Sequence, residues 1–343
     1  MTTIASFFAG VGGIDLGFSQ TGVFETIYAN EFDKYPAQTL EMNFPNLKVD
    51  IRDIHDVKSE EIPDTDIIVG GFPCQAFSIA GYRQGFDDVK GRGELFFELI
   101  RIIEAHRPRV AFFENVKNLV SHDNGNTFRV ICEQLDILGY HYTFQVLNAM
   151  NYGDMAQNRE RIYIVAFRDS EDYARFHWPL PITLNTTVRD IIDFDNPKDE
   201  KYYYTPGKYK GDIYEQLVLA TQDEDINNPS VFQWRRKYVR KNKSGVVPTL
   251  TANQGEGGHN VCIVKVKDGI RKMTPRECFN TQGFPDDYIL PTNQSDAKLY
   301  KQAGNSVCVP VIRRIAESIA EAIGEKDIII AKNNIDQVIS NQA

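Results

Sequence analysis

The residue of greatest chemical promise in this sequence is a cysteine at the end of an apolar run. Gly71-Phe72-Pro73-Cys74-Gln75 follows Asp66-Ile67-Ile68-Val69, and open α/β sheets place ligands at such strand ends. Proline fixes the local backbone and presents the thiol at the sheet edge. The thiolate is the reactive form, and a helix terminus or a cationic neighbour favours it. Cys132, Cys262 and Cys278 lie in apolar runs and read as small buried hydrophobes. With Cys308 the cysteines number five, an odd count without a C-x-x-C pair. That argues against a disulfide framework and against a zinc site, and it suits a reducing compartment.

Glu114-Asn115-Val116 ends a second apolar run, Val110-Ala111-Phe112-Phe113. A carboxyl group among so many apolar neighbours is expected to hold its proton more tightly than usual, and so to act as an acid or hydrogen-bond donor. A capping or salt-bridged glutamate is the alternative. Gln157-Asn158-Arg159-Glu160-Arg161 precedes a further run. Alternate residues of an extended chain point the same way, so Arg159 and Arg161 are expected to share a face that suits an anion or a carbonyl oxygen.

Phe8-Ala9-Gly10-Val11-Gly12-Gly13 follows the first apolar run and opens a helical pattern. Such a loop lets a ligand approach the backbone, and Glu31 further on is placed to accept ribose hydroxyls, so a nucleoside site or a plain tight turn are both open. Asp50, after a short third strand, has the chemistry to hold an adenine amino group, though an exposed turn aspartate is the simpler reading. Between Cys74 and Leu95 runs an aperiodic stretch with Ser78, Arg83, Lys90 and Arg92 and four glycines, the character of a lid whose basic residues can meet phosphates. Residues 235–243, with Arg235 and Arg236, hold six positive side chains and no acid, which suits a nucleic-acid face or a solvated basic face. Thr249-Leu250-Thr251-Ala252-Asn253-Gln254 then leads into a glycine-rich loop whose amide side chains can pair with base edges.

The elements that must position these residues alternate. Thr3–Phe8, Thr26–Ala29, Asp66–Val69, Arg109–Phe113, Tyr142–Leu147 and Ile162–Phe167 read as strands. Apolar stripes from Leu95 to Ile103 and from Phe128 to Leu138 read as helices, stopped by Pro108 and Gly139. This predicts an α/β domain with a mainly parallel sheet covered on both faces. After about Arg168 the texture becomes irregular and β-rich until about Lys301. A last stripe, Ile312 to Ile323, has the character of the first half and is expected to rejoin it.

The 343 residues are 42% hydrophobic and 25% charged, enough for a real core and, at ~100–200 residues per domain, for two domains. Net charge is −9, which excludes a protein that blankets nucleic acid non-specifically but leaves room for a local basic patch. No apolar run reaches membrane-spanning length, and MTTIASFFAG has no basic n-region. A cytoplasmic protein without a membrane partner is expected.

Taken together, the motifs resemble the DNA (cytosine-5)-methyltransferases of bacteria and their phages. F-x-G-x-G-G at Phe8, the acid at Glu31, G-F-P-C-Q at Cys74, E-N-V at Glu114, Q-x-R-x-R at Gln157 and G-N-S-V at Gly304 come in the family's order. Thr274-Pro275-Arg276-Glu277-Cys278 matches the segment that organises the family's target-recognition domain. The resemblance implies a Rossmann-like S-adenosylmethionine-binding catalytic domain over 1–190 plus 302–343 and a smaller, mostly β or irregular target-recognition domain and hinge over 191–301. It implies Cys74 as nucleophile, Glu114 as acid, Arg161 on the base carbonyl and Arg159 bracing a loop or phosphate. It implies cofactor contacts from Phe8, Val11, Gly13, Glu31, Phe32, Asp50, Ile51, Pro73, Leu95, Asn305 and Val307. Phe32 stands where some relatives carry tryptophan, and either ring can lie over adenine. Double-stranded DNA is the expected partner, met by Ser78, Arg83, Arg92, Arg235, Arg236, Thr249, Asn253 and Gln254. A metal-free monomer is expected, with a cognate restriction endonuclease linked in function but not bound. Three other readings fit less of the chain. A tRNA methyltransferase of the same superfamily carries C-F-T where this chain has Cys278-Phe279-Asn280. A nicotinamide oxidoreductase leaves Cys74 and the arginines unexplained. A non-catalytic DNA-binding regulator predicts a lost nucleophile or acid, and both are present.

Overall fold

The computed structural model describes residues 1–73, 94–235, 237–254 and 261–325. The described residues form two compact units, one from Met1–Leu147, Glu160–Leu180 and the chain from Ile312, the other from Asn148–Arg159 and Pro181–Val311.

The strands are β1 (Thr2–Phe7), β2 (Phe24–Asn30), β3 (Lys48–Asp50), β4 (Ile67–Gly70), β5 (Val110–Val116), β6 (His141–Asn148), β7 (Gln157–Asn158), β8 (Glu160–Phe167), β9 (Phe232–Arg235), β10 (Tyr238–Lys241), β11 (Val247–Pro248), β12 (Cys262–Val266) and β13 (Gly269–Lys272). In the first unit they build a seven-stranded sheet in the order β3-β2-β1-β4-β5-β8-β6. β1 to β5 are mutually parallel. Every residue of β4 is buried, because helices cover both faces, and this is why such strands read as unbroken apolar runs. Ala5, Phe7, Ile68, Ala111 and Phe113 point to one side, against Leu99 and Ile103 of the helix Glu94–His106 and Ile131 and Leu135 of the helix Asn126–Ile137. On the other side Phe112 meets Phe18 edge-on at 5.4 Å and stacks on Tyr163 at 6.1 Å.

The sheet departs from the expected parallel order at β8, which runs antiparallel to β5. A parallel neighbour needs a crossover of about a dozen residues or more, usually helical. The connection Ala149–Arg159 holds one helical turn, Ala149–Tyr152, and the two-residue β7, so the chain turns back instead. The helix Val309–Ala322 carries Ile312 onto Gly17, where a Cβ would lie 2.6 Å from two Ile312 carbons. The last helical stripe thus does rejoin the first unit.

The ends of β2 and β3 are tied by polar groups. Tyr28 donates its hydroxyl to Asp50 at 3.1 Å, Asn30 donates to the Asp50 carbonyl at 3.0 Å, and Arg52 grips the Asp50 carboxylate at 2.7 Å. The hydrogen bond from Arg52 holds the Asp50 carboxyl below its ordinary value, against the opposing effect of burial.

In the second unit β10-β9-β12-β13 form an antiparallel sheet around Phe232, Trp234, Ile263 and Ile270, with Ile213 and Leu217 of the helix Ile213–Ala220 packed on it. β7 pairs in parallel with β11. Beside the sheet lies a buried ion pair: Arg271 meets Glu277 at 2.7 Å, with side chains 0% and 4% exposed. Glu277 also accepts from Thr274 N and Asp193 N, so the Thr274-Pro275-Arg276-Glu277 segment caps the helix Pro275–Thr281 and anchors the chain at Asp193.

Two outcomes follow. Arg271→Ala leaves a buried carboxylate without its partner and is expected to cost about 3–5 kcal/mol in urea unfolding, and a loss below about 1 kcal/mol contradicts the pair's role. For Asp50, a depressed native value means that the ionised group stabilises the fold above its ordinary value of ~3.9, and that this is lost as pH falls through the native value. Asp50→Asn should therefore be less stable than the parent at pH 7, and the gap between their urea midpoints should close below pH ~4. A gap that does not change with pH contradicts this.

Candidate active site and its relatives

Within the first unit, β4 and β5 bring the two expected chemical segments side by side. Gly70 pairs with Phe113, so Gly71-Phe72-Pro73 leaves β4 next to Glu114. A Cβ at Gly71 would lie 3.7 Å from Glu114 Oε2, which places the carboxylate over this backbone. Glu114 is 8% exposed. Its Oε1 meets Arg161 Nε at 3.0 Å. In the β5–β8 ladder Glu114 faces Tyr163 and Val116 faces Arg161, so Arg161 is the diagonal neighbour of Glu114 on the same face. The expected apolar setting of Glu114 is therefore incomplete, because a guanidinium closes one side of it.

Asn115 is a contributor that the sequence did not single out. Its Nδ2 donates to the Phe72 carbonyl at 2.8 Å, while its Oδ1 accepts from Val116 N at 2.8 Å. The side chain thus ties the end of β5 to the backbone just before Cys74 in sequence. An asparagine immediately after a candidate acid was the available signal. Cys74 itself lies outside the described residues, as do Ser78, Arg83, Arg92 and Arg236.

Four thiols remain for comparison. Burial pushes Cys262 and Cys308 up to about 12 and raises Cys278 as well. Burial also raises half-buried Cys132. All four are held away from the thiolate form, as expected of packed hydrophobes.

The Phe8–Gly13 loop is a turn at the end of β1. Phe8 and Gly10 take positive φ, and Gly12 N donates to Ala9 O at 2.8 Å. The reason for glycine at position 12 is packing as well as backbone: a Cβ there would sit 2.6 Å from Leu40 and 2.8 Å from Phe44. Glu31 accepts from Gly10 N and from Asp33 N, each at 2.8 Å, which fixes its carboxylate beside the loop. Behind the loop, buried Asp15 accepts from Thr26 at 2.9 Å and from Ser6 at 3.2 Å. Phe32 and Ile51 are 68% and 56% exposed, and they flank Glu31 and Asp50, whose backbones are joined by Glu31 N to Asp50 O at 3.0 Å. Two large apolar side chains left in water beside a fixed carboxylate make a platform for a flat, partly polar ligand. Val11 and Gly13 are buried, so they can offer a ligand only backbone. Leu95 is half-buried against the core, and Pro73 is exposed. Asp50 is not the exposed turn residue of the simpler reading, being buried and gripped by Arg52.

Two expectations are corrected. Arg159 and Arg161 do not share a strand face, because the chain breaks between β7 and β8 at Arg159. Arg159 belongs to the second unit, is 2% exposed, and donates to the carbonyls of Leu250 at 2.9 Å, Gly304 at 3.2 Å and Ser306. It has no open face for an external anion. Gln254, expected to read a base, is fully buried and donates to Tyr300 O at 3.0 Å. In the same unit Thr249 donates to Asn158 O at 2.6 Å, Thr251 donates to Asn253 Oδ1 at 2.8 Å, Asn253 and Asn305 are exposed, and Val307 is buried. Arg235 is exposed at the end of β9. The basic run is partly neutralised, since Lys241 pairs with Glu224 at 2.9 Å, and Arg240 is tethered by donating to Gln233 at 2.8 Å. Among the described residues no cluster of His, Cys, Asp or Glu could hold a metal, and no helix is long and apolar enough to cross a membrane.

The chain is similar in sequence to Type II methyltransferases. It is 57% identical over 323 residues to the Type II methyltransferase M.Bsp6I of Bacillus sp. (strain RFL6), covering 94% of this chain and all of that one. It is 38% identical over 332 residues to the Type II methyltransferase M.HhaI of Haemophilus parahaemolyticus, covering 93% and 94%. Its fold matches a prophage-encoded DNA modification methyltransferase of E. coli at TM-score 0.67 and 20% identity, covering 95% and 100%. It matches DNMT2 of Spodoptera frugiperda at TM-score 0.69 and 21% identity, covering 93% and 99%. Residues 2–321 match the family model of the C-5 cytosine-specific DNA methylases, and the chain belongs to that family.

Proposed function

We propose that this chain methylates C5 of a cytosine within a short double-stranded DNA site, as the modification enzyme of a restriction–modification system. The observation that carries the reading is the Glu114–Arg161 pair set over the Gly71-Phe72-Pro73 backbone, in a member of the cytosine-specific family.

C5 of cytosine is too weak a nucleophile to take a methyl group unaided. Addition of the Cys74 thiolate at C6 makes an enamine whose C5 is nucleophilic, and burial of the other four thiols supports Cys74 as the sulfur. Glu114 hydrogen-bonds N3 and the exocyclic amine and so stabilises the developing charge. Arg161, already beside Glu114, holds O2. Loss of the C5 proton and elimination of Cys74 then restore the aromatic base. C6 is covered in a stacked duplex, so the cytosine is flipped out first. Asn115 fixes the loop base from which Cys74 is presented.

The residues around Glu31 fit S-adenosylmethionine, which supplies an electrophilic methyl group when bound. Glu31 would accept the ribose hydroxyls, Phe32 and Ile51 would hold the adenine, and Asp50, already gripped by Arg52, would serve its amino group. Phe8, Val11, Gly13, Pro73, Leu95, Asn305 and Val307 follow from the family pattern. Residues 191–301 form the target-recognition part. Exposed Arg235, with Arg236, Ser78, Arg83 and Arg92, meets phosphates, while Thr249 and Asn253 lie nearest the base edges. The enzyme acts as a metal-free monomer, and its endonuclease is a separate protein that it does not bind.

Bisulfite sequencing of DNA from cells expressing the chain tests the reading directly: one short motif should resist conversion at one cytosine, and uniformly converted DNA refutes it. On that motif Cys74→Ser should abolish turnover while leaving DNA binding largely intact, and Glu114→Gln should slow turnover by about 10²–10⁴-fold. Retained methylation by the Cys74 variant refutes the covalent route. Arg235→Ala should weaken DNA binding and lower the slope of log affinity against log salt by ~1 unit. An unchanged slope removes Arg235 from the interface.

A further inference from the structure

Three stretches far apart in the sequence meet inside the second unit, and Arg159 lies where they meet. Its guanidinium is buried and donates to Leu250 O, Gly304 O and Ser306 O, so it holds the carbonyls of the residues on each side of Asn305 and, with the same planar group, the segment that begins at Thr249. The two held segments also touch directly. A Cβ at Gly304 would lie 2.2 Å from Thr251 O and 2.7 Å from Ala252 N, so only glycine permits this approach. Around them the buried amides repeat the pattern. Gln157 donates to Thr281 O at 2.9 Å and to Gln282 Oε1 at 3.0 Å, Gln282 donates to Ala303 O at 2.8 Å, and Gln254 donates to Tyr300 O. Val247 and Pro248 pair with Gln157 and Asn158, so the short strand that ends just before Arg159 is itself stitched to the 247–249 segment. At the surface of this knot stand Asn253 on one segment and Asn305 on the other.

We propose that Arg159 is a positioning residue that couples the two ligands. DNA seated on Thr249–Asn253 fixes the 304–306 turn in the form that presents Asn305 to S-adenosylmethionine, and the bound cofactor favours the DNA-ready form of the 249–253 segment. This rests on the function proposed above, which assigns the two segments to the two ligands. The physical basis is that one rigid, fork-shaped donor satisfies carbonyls from both segments. A shift of either segment would strand a buried hydrogen-bonding group on the other. Coupling of this kind is reciprocal in the two affinities.

The test measures binding of S-adenosylhomocysteine, a stable probe for the cofactor site, with and without a duplex carrying the motif found by bisulfite sequencing. For the parent enzyme the duplex should tighten binding by about 5-fold or more. In Arg159→Lys, which keeps the charge but loses the fork, each ligand should still bind alone while that ratio falls towards one. Thermal unfolding of the same sample shows whether the variant is folded. Hydrogen exchange on the unmutated enzyme is a second measurement that needs no variant: amides of residues 304–307 should be protected by the duplex alone, with no cofactor present. A ratio of one in the parent, an unchanged ratio in folded Arg159→Lys, or no added protection at 304–307 overturns the proposal. If methylation of the motif is seen and the coupling is not, the inference fails and the catalytic reading stands. If no motif is methylated, the catalytic reading fails first.

Discussion

The contact between Glu114 and Arg161 exists only because β8 runs against β5. In an antiparallel ladder the residues two apart on each strand fall on one face, and the diagonal neighbour lies within reach of a long side chain. A parallel β8 would have put its first residues at the far end of the sheet. The reversal therefore brings the acid and the guanidinium to the end where β4 delivers Gly71-Phe72-Pro73. Both side chains are nearly out of water, at 11% and 13% exposure. Each charge is tolerated there because the other is present, and both are oriented before any base arrives.

Much of this was legible in the chain. Buried parallel strands announce themselves as continuous apolar runs, and β1, β4 and β5 were placed within a residue or two at their N-terminal ends. β5 continues through Glu114 to Val116, because strand pairing with β8 carries polar residues that composition alone would end on. The direction of β8 was not legible, since periodicity is the same for a strand running either way. The fate of Arg159 was hidden for a related reason. Alternation predicts a shared face only while the strand is unbroken, and the break at Arg159 sends its side chain to carbonyls contributed by residues 250, 304 and 306. Gln254 was misjudged because an amide in a glycine-rich stretch looks the same whether it reads a base or satisfies a backbone carbonyl.

The candidate cofactor platform was legible in its charged member and less so in its supports. Glu31 stands out by its distance from the glycine loop. Tyr28, Asn30 and Arg52 do not, yet they hold Asp50 and the end of β3 beside β2. Tyr28 and Asn30 lie 22 and 20 positions from Asp50, and such long-range polar ties leave no periodic trace. Asp15, sealed between Ser6 and Thr26, belongs to the same class.

The first unit is assembled from the beginning of the chain and from its last described helix, with the second unit spliced between them. Ile312 rests against Gly17, so the surface around Gly17 stays bare until the ribosome has delivered the inserted unit. During synthesis the inserted unit has all of its own parts in hand first. The catalytic sheet must wait, half-roofed, for its final rafter, and in that interval its exposed apolar face is the part most at risk of sticking to other nascent chains.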